Sequence, residues 1–169
     1  MKNITFDAAK AIKGYDGKGN AKQYANIITG SSINKPNKGT DNLIIEGCTF
    51  TGKFANGGVA IAFTDQGRTN HGGQSGNITI KGCTFSTENA NCHIYTYYSG
   101  KGKFIIENNI FATSTVGTPI YLGRYQSSTP VVVKGNKFAT VATLEAAVYL
   151  QDHSSYGVSV DASDNTFGE

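Results

Sequence analysis

The sequence has no tryptophan, only three prolines, and charged residues at just 16% of its 169 positions. Its basic residues are scattered, so no Lys/Arg run indicates nucleic-acid binding. No stretch is long and apolar enough to cross a membrane, and the first residues lack the apolar core of a signal peptide. Three cysteines are too few for a disulfide framework, and they are not spaced like zinc ligands. We therefore predict no nucleic-acid partner, no membrane insertion, no metal site and no cofactor.

Residues that form turns and strands are abundant. The chain contains 21 glycines and many Asn, Ser, Thr, Ile and Val residues, and its formal net charge is only +3. Because β-branched residues favour strands and Gly and Asn favour turns, this composition indicates an all-β protein with frequent turns.

A nine-residue motif recurs along the chain. Residues 42–50 read NLIIEGCTF, residues 77–85 read NITIKGCTF, and variants occur at residues 103–111, 130–138 and 158–167, with a partial copy in residues 2–6. Each copy ends in phenylalanine, and the last five copies are spaced 35, 26, 27 and 29 residues apart. The column of aromatic residues is Phe6, Phe50, Phe85, Phe111, Phe138 and Phe167.

Every unit also contains a second short apolar stretch. These stretches align at Ile27, Ile61, Ile94, Ile120 and Val148. Units of roughly 26 residues that hold two or more short strands and no helix predict a β-solenoid of about five to six coils, in which stacked coils form long parallel sheets. The side chains predicted to point inward, besides the phenylalanines, are Leu43, Ile45, Ile78, Ile80, Phe104, Ile106, Val131 and Val133.

A second column lies two residues before each phenylalanine. It consists of Cys48, Cys83, Asn109, Asn136 and Asn165. Stacked inward asparagines satisfy backbone groups at a turn and hydrogen-bond to one another along the stack, and cysteine is a small buried substitute. Cys48 and Cys83 would lie near enough for a disulfide, but we predict free buried thiols.

The motif and its Asn column resemble those of the right-handed parallel β-helix superfamily, the pectate-lyase-like fold, from Asn42 onward. The resemblance implies a right-handed β-helix and is closest in style to bacterial surface or phage β-helix repeat proteins. It does not specify a function, because this fold carries lyases, hydrolases, epimerases, tailspikes and adhesin-like proteins.

We expect one β-helix domain over residues 1–169, with an irregular first coil in residues 1–41 and regular coils in residues 42–169. A short helix or loop in Asp7–Tyr24 would cap the first coil. After Phe167 almost nothing remains for a second cap. We therefore expect either a slice of a longer protein or an end that another subunit covers.

Chemistry-bearing residues concentrate on the second stretch of each unit. One residue after the aligned aliphatics, an outward column reads Ala62, Tyr95, Tyr121 and Tyr149. Bordering it are Asp65, Tyr97, Tyr98, Arg124, Tyr125, Asp152 and His153. Flat aromatic rings stack on sugar faces while such polar groups hold hydroxyls, which favours a carbohydrate ligand. The alternative is that neighbouring aromatics only stabilise the sheet.

Catalysis is less favoured by the same residues. In Thr64–Gly76, the longest loop, Asp65 and His71 offer acid–base groups, but such a loop is more often a solvated insertion. Asp65 and Asp152 would be three coils apart, about 14 Å, too far to share a calcium ion or to act as a glycosidase pair. We predict no catalytic residue, and we interpret Asp41 and His93 as ordinary turn or surface residues.

The preferred function is a noncatalytic module that binds polysaccharide or another surface ligand, in a bacterial surface protein or phage tail. Its location would be extracellular, on a cell surface or on a phage particle. Two alternatives remain open: a polysaccharide lyase or glycoside hydrolase, and a structural spacer that associates end to end or with neighbouring domains.

Overall fold

A computed structural model describes residues 1–15, 21–29, 42–64, 77–97, 102–125, 130–152 and 157–168. These residues form short strands in three sheets. The first sheet has the order β16-β13-β10-β7-β4, and its strands are β4 (Leu43–Glu46), β7 (Ile78–Lys81), β10 (Phe104–Glu107), β13 (Val131–Lys134) and β16 (Val160–Ser163). All its neighbouring strands are parallel.

The second sheet is built from the strands that carry the phenylalanine column. In spatial order they are β1 (Thr5–Asp7), β5 (Thr49–Thr51), β8 (Thr84–Phe85), β11 (Ile110–Phe111), β14 (Lys137–Phe138) and β17 (Thr166–Phe167). These strands also pair in parallel, and each phenylalanine is in register with the next.

The third sheet holds the second apolar stretch of each unit. Its order is β15-β12-β9-β6-β3-β2, and its strands are β2 (Ile12–Tyr15), β3 (Ala21–Thr29), β6 (Gly58–Thr64), β9 (Cys92–Tyr97), β12 (Ile120–Tyr125) and β15 (Val148–Asp152). Register pairing aligns Ile27, Ile61, Ile94, Ile120 and Val148, as predicted. Each of the four complete coils, from β4–β6 to β13–β15, therefore contributes one strand to each sheet in turn.

Helix is confined to two single turns in the described residues. Ala8–Lys10 forms a 3-10 turn, and Asp7 caps its N-terminal end. The α-helical turn α1 (Leu144–Ala147) begins after the capping residue Thr143. The cap expected in Asp7–Tyr24 is therefore not a helix alone. After the 3-10 turn, β2 pairs antiparallel with β3 at the edge of the third sheet. An antiparallel edge strand supplies hydrogen bonds that a bare first coil would lack.

The core runs along the inside of the three sheets. The six phenylalanine rings stack nearly parallel, with neighbouring centroids 5.0, 4.8, 4.8, 4.7 and 5.5 Å apart from Phe6 to Phe167. The four inner rings are buried, and the two end rings are half-buried. The other predicted inward residues are also buried, except Leu43, which is half-buried against the core.

The asparagine column behaves as predicted. The Asn136 side-chain amide donates to Ile106 O at 2.9 Å and to Asn165 Oδ1 at 3.1 Å, and its own Oδ1 accepts from Asn109 Nδ2 at 3.0 Å. Asn109 Oδ1 in turn accepts from the Cys83 backbone N–H at 2.9 Å. The ladder thus satisfies polar groups that the coils bury at this corner.

The three cysteines are free and buried, as predicted. The Cys83 thiol lies 3.7 Å from Ile45 O and 3.4 Å from Lys81 O. Burial raises the pKa of Cys83 to about 11 and that of Cys92 to about 12, so both are neutral thiols at physiological pH.

Candidate functional site

Three tyrosine rings form a continuous stack on the outer face of the third sheet. Parallel pairing places Tyr95, Tyr121 and Tyr149 in register on β9, β12 and β15. Their ring centroids are 5.3 Å apart between Tyr95 and Tyr121 and 4.7 Å apart between Tyr121 and Tyr149, with interplanar angles of 14° and 19°. We call these three residues the tyrosine column.

Exposure increases along the tyrosine column. Tyr95 and Tyr121 are half-buried, whereas Tyr149 is 40% exposed. Tyr121 has a ring against each face, so a ligand would reach its edge rather than its face. Tyr149 has Tyr121 against one face only among the described residues. The flat surface for stacking on a sugar is therefore concentrated at Tyr149.

The inner end of the column is anchored by small apolar residues. Tyr95 and Tyr121 pack against a buried cluster, and Ala62 is the register partner of Tyr95 on β6. The members of this cluster are Ala25, Val59, Ala62 and Cys92. The cluster and the neighbouring ring therefore restrict the side chains of Tyr95 and Tyr121.

The flanking candidates are only partly placed. Along the backbone, Tyr97 pairs with Thr64 and with Gly123, and Tyr125 pairs with Asp152. Counting four residues from the aligned pair Ile120 and Val148 predicts that Arg124 lies opposite Asp152. This register is wrong by one residue, because a β-bulge lies between Leu122 and Tyr125. Asp65, Tyr98 and His153 lie outside the described residues.

His93 was interpreted as an ordinary turn or surface residue, and the structure shows the opposite. Its side chain is fully buried, with its ring 5.5 Å from the Phe85 ring and 5.9 Å from the Phe111 ring. Nδ1 lies 3.2 Å from Thr87 Oγ1 and Nε2 lies 3.2 Å from Thr113 O. Because a carbonyl only accepts, Nε2 carries the proton and Nδ1 accepts from the Thr87 hydroxyl.

Burial sets the chemistry of His93. Desolvation lowers its pKa from 6.5 to about 4, against a smaller opposite effect of the Thr113 carbonyl. The alignment contained a signal for this burial, since His93 occupies the strand position of Ala60, which is also fully buried. His93 is therefore a neutral core residue and not an accessible acid or base.

The described residues offer no assembled metal site: no three His, Cys, Asp or Glu side chains within them lie close enough to hold an ion. They also contain no helix with the length and apolar character of a membrane span.

Comparison with protein families agrees with the architecture. The family described as a right-handed beta helix region matches residues 20–169, which begins before the first full motif at Asn42. The chain therefore belongs to the right-handed β-helix family, and the predicted fold class is confirmed. Neither the curated proteins nor the solved structures gave a match.

Proposed function

We propose that this β-helix is a noncatalytic module that binds polysaccharide along the outer face of the third sheet. The observation that carries the proposal is the tyrosine column, a row of stacked rings that ends in a 40% exposed tyrosine. Aromatic rings held rigidly in this way offer a large contact area at low entropic cost. A bacterial surface protein or a phage tail is the setting that this function favours.

The geometry supports a particular orientation of the ligand. The column runs across the strands and so follows the axis of the solenoid, with a step close to the spacing of neighbouring strands. A linear sugar chain lying along that axis would contact the edges of Tyr95 and Tyr121 and the open face of Tyr149. Tyr97, Tyr125 and Asp152 are the last residues of β9, β12 and β15, and we propose these strand ends as the border of the site.

The test is a glycan-array screen followed by titration of the polysaccharide that binds best. Tyr149→Ala should weaken binding at least tenfold, and the Tyr95→Ala/Tyr121→Ala/Tyr149→Ala variant should abolish it. Ile110→Ala is the matched control, because Ile110 is 43% exposed and lies on β11 of the second sheet. Circular dichroism should show that all variants remain folded.

Two results would overturn the proposal. One is a wild-type protein that binds no glycan on the array. The other is binding that persists unchanged in the folded triple variant. Release of new reducing ends or unsaturated products from a bound polysaccharide would instead assign the protein to the lyases or hydrolases.

A further inference from the structure

The outer face of the first sheet carries charged side chains whose sign alternates from coil to coil. Lys81 on β7 is in register with Glu46 on one side and Glu107 on the other, and Glu107 is in register with Lys134. Lys2 forms an ion pair with Glu46 at 3.3 Å, and Lys81 approaches the same carboxylate at 3.9 Å. Asp164, one residue beyond the register partner of Lys134, lies 3.7 Å from the Lys134 ammonium.

An apolar column lies beside these charges. Two residues earlier on the same four strands are Ile44, Thr79, Ile105 and Val132, which are mutually in register. Ile44 is 47% exposed and the other three are half-buried. Ion pairing between neighbouring coils accounts for the alternating charges within one chain. It does not account for the apolar column of β-branched residues that lies beside them at the surface.

We infer that this face binds a second copy of the chain, with the two solenoid axes antiparallel. The face consists of Ile44, Thr79, Ile105, Val132, Glu46, Lys81, Glu107 and Lys134, and we call it the paired face. The two-fold axis would run parallel to the strands, midway between β7 and β10. Such an axis places each column of one copy against the same column of the other in reverse order.

Charge complementarity selects this arrangement. Along the solenoid the four charges read negative, positive, negative, positive, and reversal converts this order into its complement. Glu46 would therefore face Lys134 of the second copy, and Lys81 would face its Glu107. The apolar column would pair Ile44 with Val132 and Thr79 with Ile105. Parallel axes would set like charges at the same level, which is unfavourable.

The size of the paired face predicts a weak dimer. The four strands of the paired face, at about 4.8 Å each, and four residues at about 3.3 Å per strand cover about 250 Å² per copy. Stable interfaces bury about 800 Å² per partner, so the dimer should form only as protein concentration rises from the micromolar toward the millimolar range.

The test is a charge-exchange experiment in analytical ultracentrifugation at low salt. Lys81→Glu and Glu107→Lys should each weaken self-association of the intact chain at least tenfold, because each creates two like-charge contacts per dimer. An equimolar mixture of the two variants should recover dimer formation, since the introduced Glu at position 81 then faces the introduced Lys at position 107 in one contact, and the native Glu107 faces the native Lys81 in the other. Ile44→Ser should also weaken association about tenfold by removing an exposed apolar contact without altering charge.

Lys137→Glu is the matched control. It makes the same change in net charge as Lys81→Glu on an exposed position of the second sheet, and it should leave association unchanged. Circular dichroism melts verify that each variant is folded, and Ile44→Ser tests the same face should a charge variant fail to fold. A wild type that stays monomeric at all concentrations, or folded charge variants whose mixture does not recover the dimer, would overturn the inference.

Discussion

At the scale of single residues, the inner corner of each coil is occupied by asparagine or cysteine for different physical reasons. Asn136 makes four hydrogen bonds through its side chain, two as donor and two as acceptor. Cys83 occupies the equivalent position, but it packs as a small buried group with weak thiol contacts. Both residues fit the same corner, but their side chains differ in how many hydrogen bonds they make to buried polar groups.

This difference predicts unequal losses on truncation. Asn136→Ala removes all four of these hydrogen bonds, including those to the buried Asn109 N–H and the Ile106 carbonyl, and should lower the free energy of unfolding by about 3 kcal/mol. Cys83→Ala removes only a sulfur atom and should cost about 1 kcal/mol. Urea denaturation of both variants measures the difference. Equal losses would contradict the importance of the ladder's hydrogen bonds.

Thr96 is a core residue whose hydroxyl is unsatisfied. It is fully buried between its register partners Phe63 and Leu122, and its Oγ1 has no hydrogen-bond partner among the described residues. Thr96→Val keeps the shape and removes the polar atom, so it should raise the free energy of unfolding by about 1 kcal/mol. The control Thr113→Val should destabilise instead, because the Thr113 hydroxyl donates to Thr87 O at 2.8 Å. A Thr96→Val variant less stable than wild type would refute the prediction.

His93 makes the stability of the protein depend on pH. Its pKa is about 4 in the folded chain and 6.5 in the unfolded chain, so below 6.5 the unfolded state binds the proton first. Stability should therefore be unaffected by this group above pH 6.5, fall as pH drops from 6.5 to 4, and level off below 4. The full loss corresponds to about 3 kcal/mol.

The measurement compares the pH dependence of urea unfolding in wild type and His93→Gln. Subtracting the two curves removes the contribution of carboxylates, which titrate in both proteins. The difference should appear only between pH 6.5 and 4. Parallel curves over that window, or a His93 pKa near 6.5 by NMR titration, would show that burial does not hold this ring neutral.

At the scale of elements, each turn between the first and second sheets depends on one left-handed residue. These residues are Asn3, Gly47, Gly82, Asn108, Gly135 and Asp164, with φ between 55° and 63°. Glycine, asparagine and aspartate tolerate this conformation best, which explains why only these types occupy the column. The column then repeats the same bend at every coil and keeps the sheets in register.

Two glycines of this column provide a matched pair for substitution. An alanine Cβ at Gly135 would contact Asn108 Oδ1, whereas one at Gly82 would meet no atom closer than 3.9 Å. Gly82→Ala should therefore lower the free energy of unfolding by about 1 kcal/mol through backbone strain alone. Gly135→Ala should lower it by about 2 kcal/mol. When Gly135→Ala is made in an Asn108→Gly background, its loss of unfolding free energy should fall to the loss seen for Gly82→Ala. Thermal unfolding tests this, and an unchanged loss in that background would exclude the Asn108 contact.

The repeat made most elements predictable, because one motif read several times fixes both the strands and their alignment. The phenylalanine stack, the asparagine column and the alignment of Tyr95 with Tyr121 all follow from counting residues within the coil. The bulge after Leu122 could not be predicted, since no change in the alternating pattern marks it. The interpretation of His93 as a turn or surface residue is wrong because it depends on residue type alone, whereas the strand position that His93 shares with Ala60 is buried.

The candidate site was predictable only as a column. Strand pairing brings the tyrosine rings together, so their proximity follows from the repeat alone. Which ring offers an open face depends on where the third sheet ends relative to Tyr149, and this is a property of the assembled sheet. The alternating charges of the first sheet follow from the same alignment, because Glu46, Lys81 and Glu107 each lie four residues before the phenylalanine of the motif.

At the scale of the whole molecule, a solenoid is held together by contacts between neighbouring coils. Each coil buries its apolar side only against the coils above and below it, so stability is close to a sum over neighbouring interfaces. A defect in a central coil weakens two interfaces, whereas a defect in an end coil weakens one. The phenylalanine stack tests this directly, because chemically identical rings occupy both kinds of position.

Phe111→Ala and Phe6→Ala should therefore have different consequences. Phe111 is 1% exposed and stacks on Phe85 and Phe138, so its truncation should lower the free energy of unfolding by about 4 kcal/mol. Phe6 is half-buried and stacks on Phe50, so its truncation should cost about half as much. Hydrogen exchange should accelerate throughout the chain in Phe111→Ala but mainly in β1 and β5 in Phe6→Ala. Equal losses with the same exchange pattern would mean that the coils unfold as one unit, without the nearest-neighbour behaviour of a solenoid.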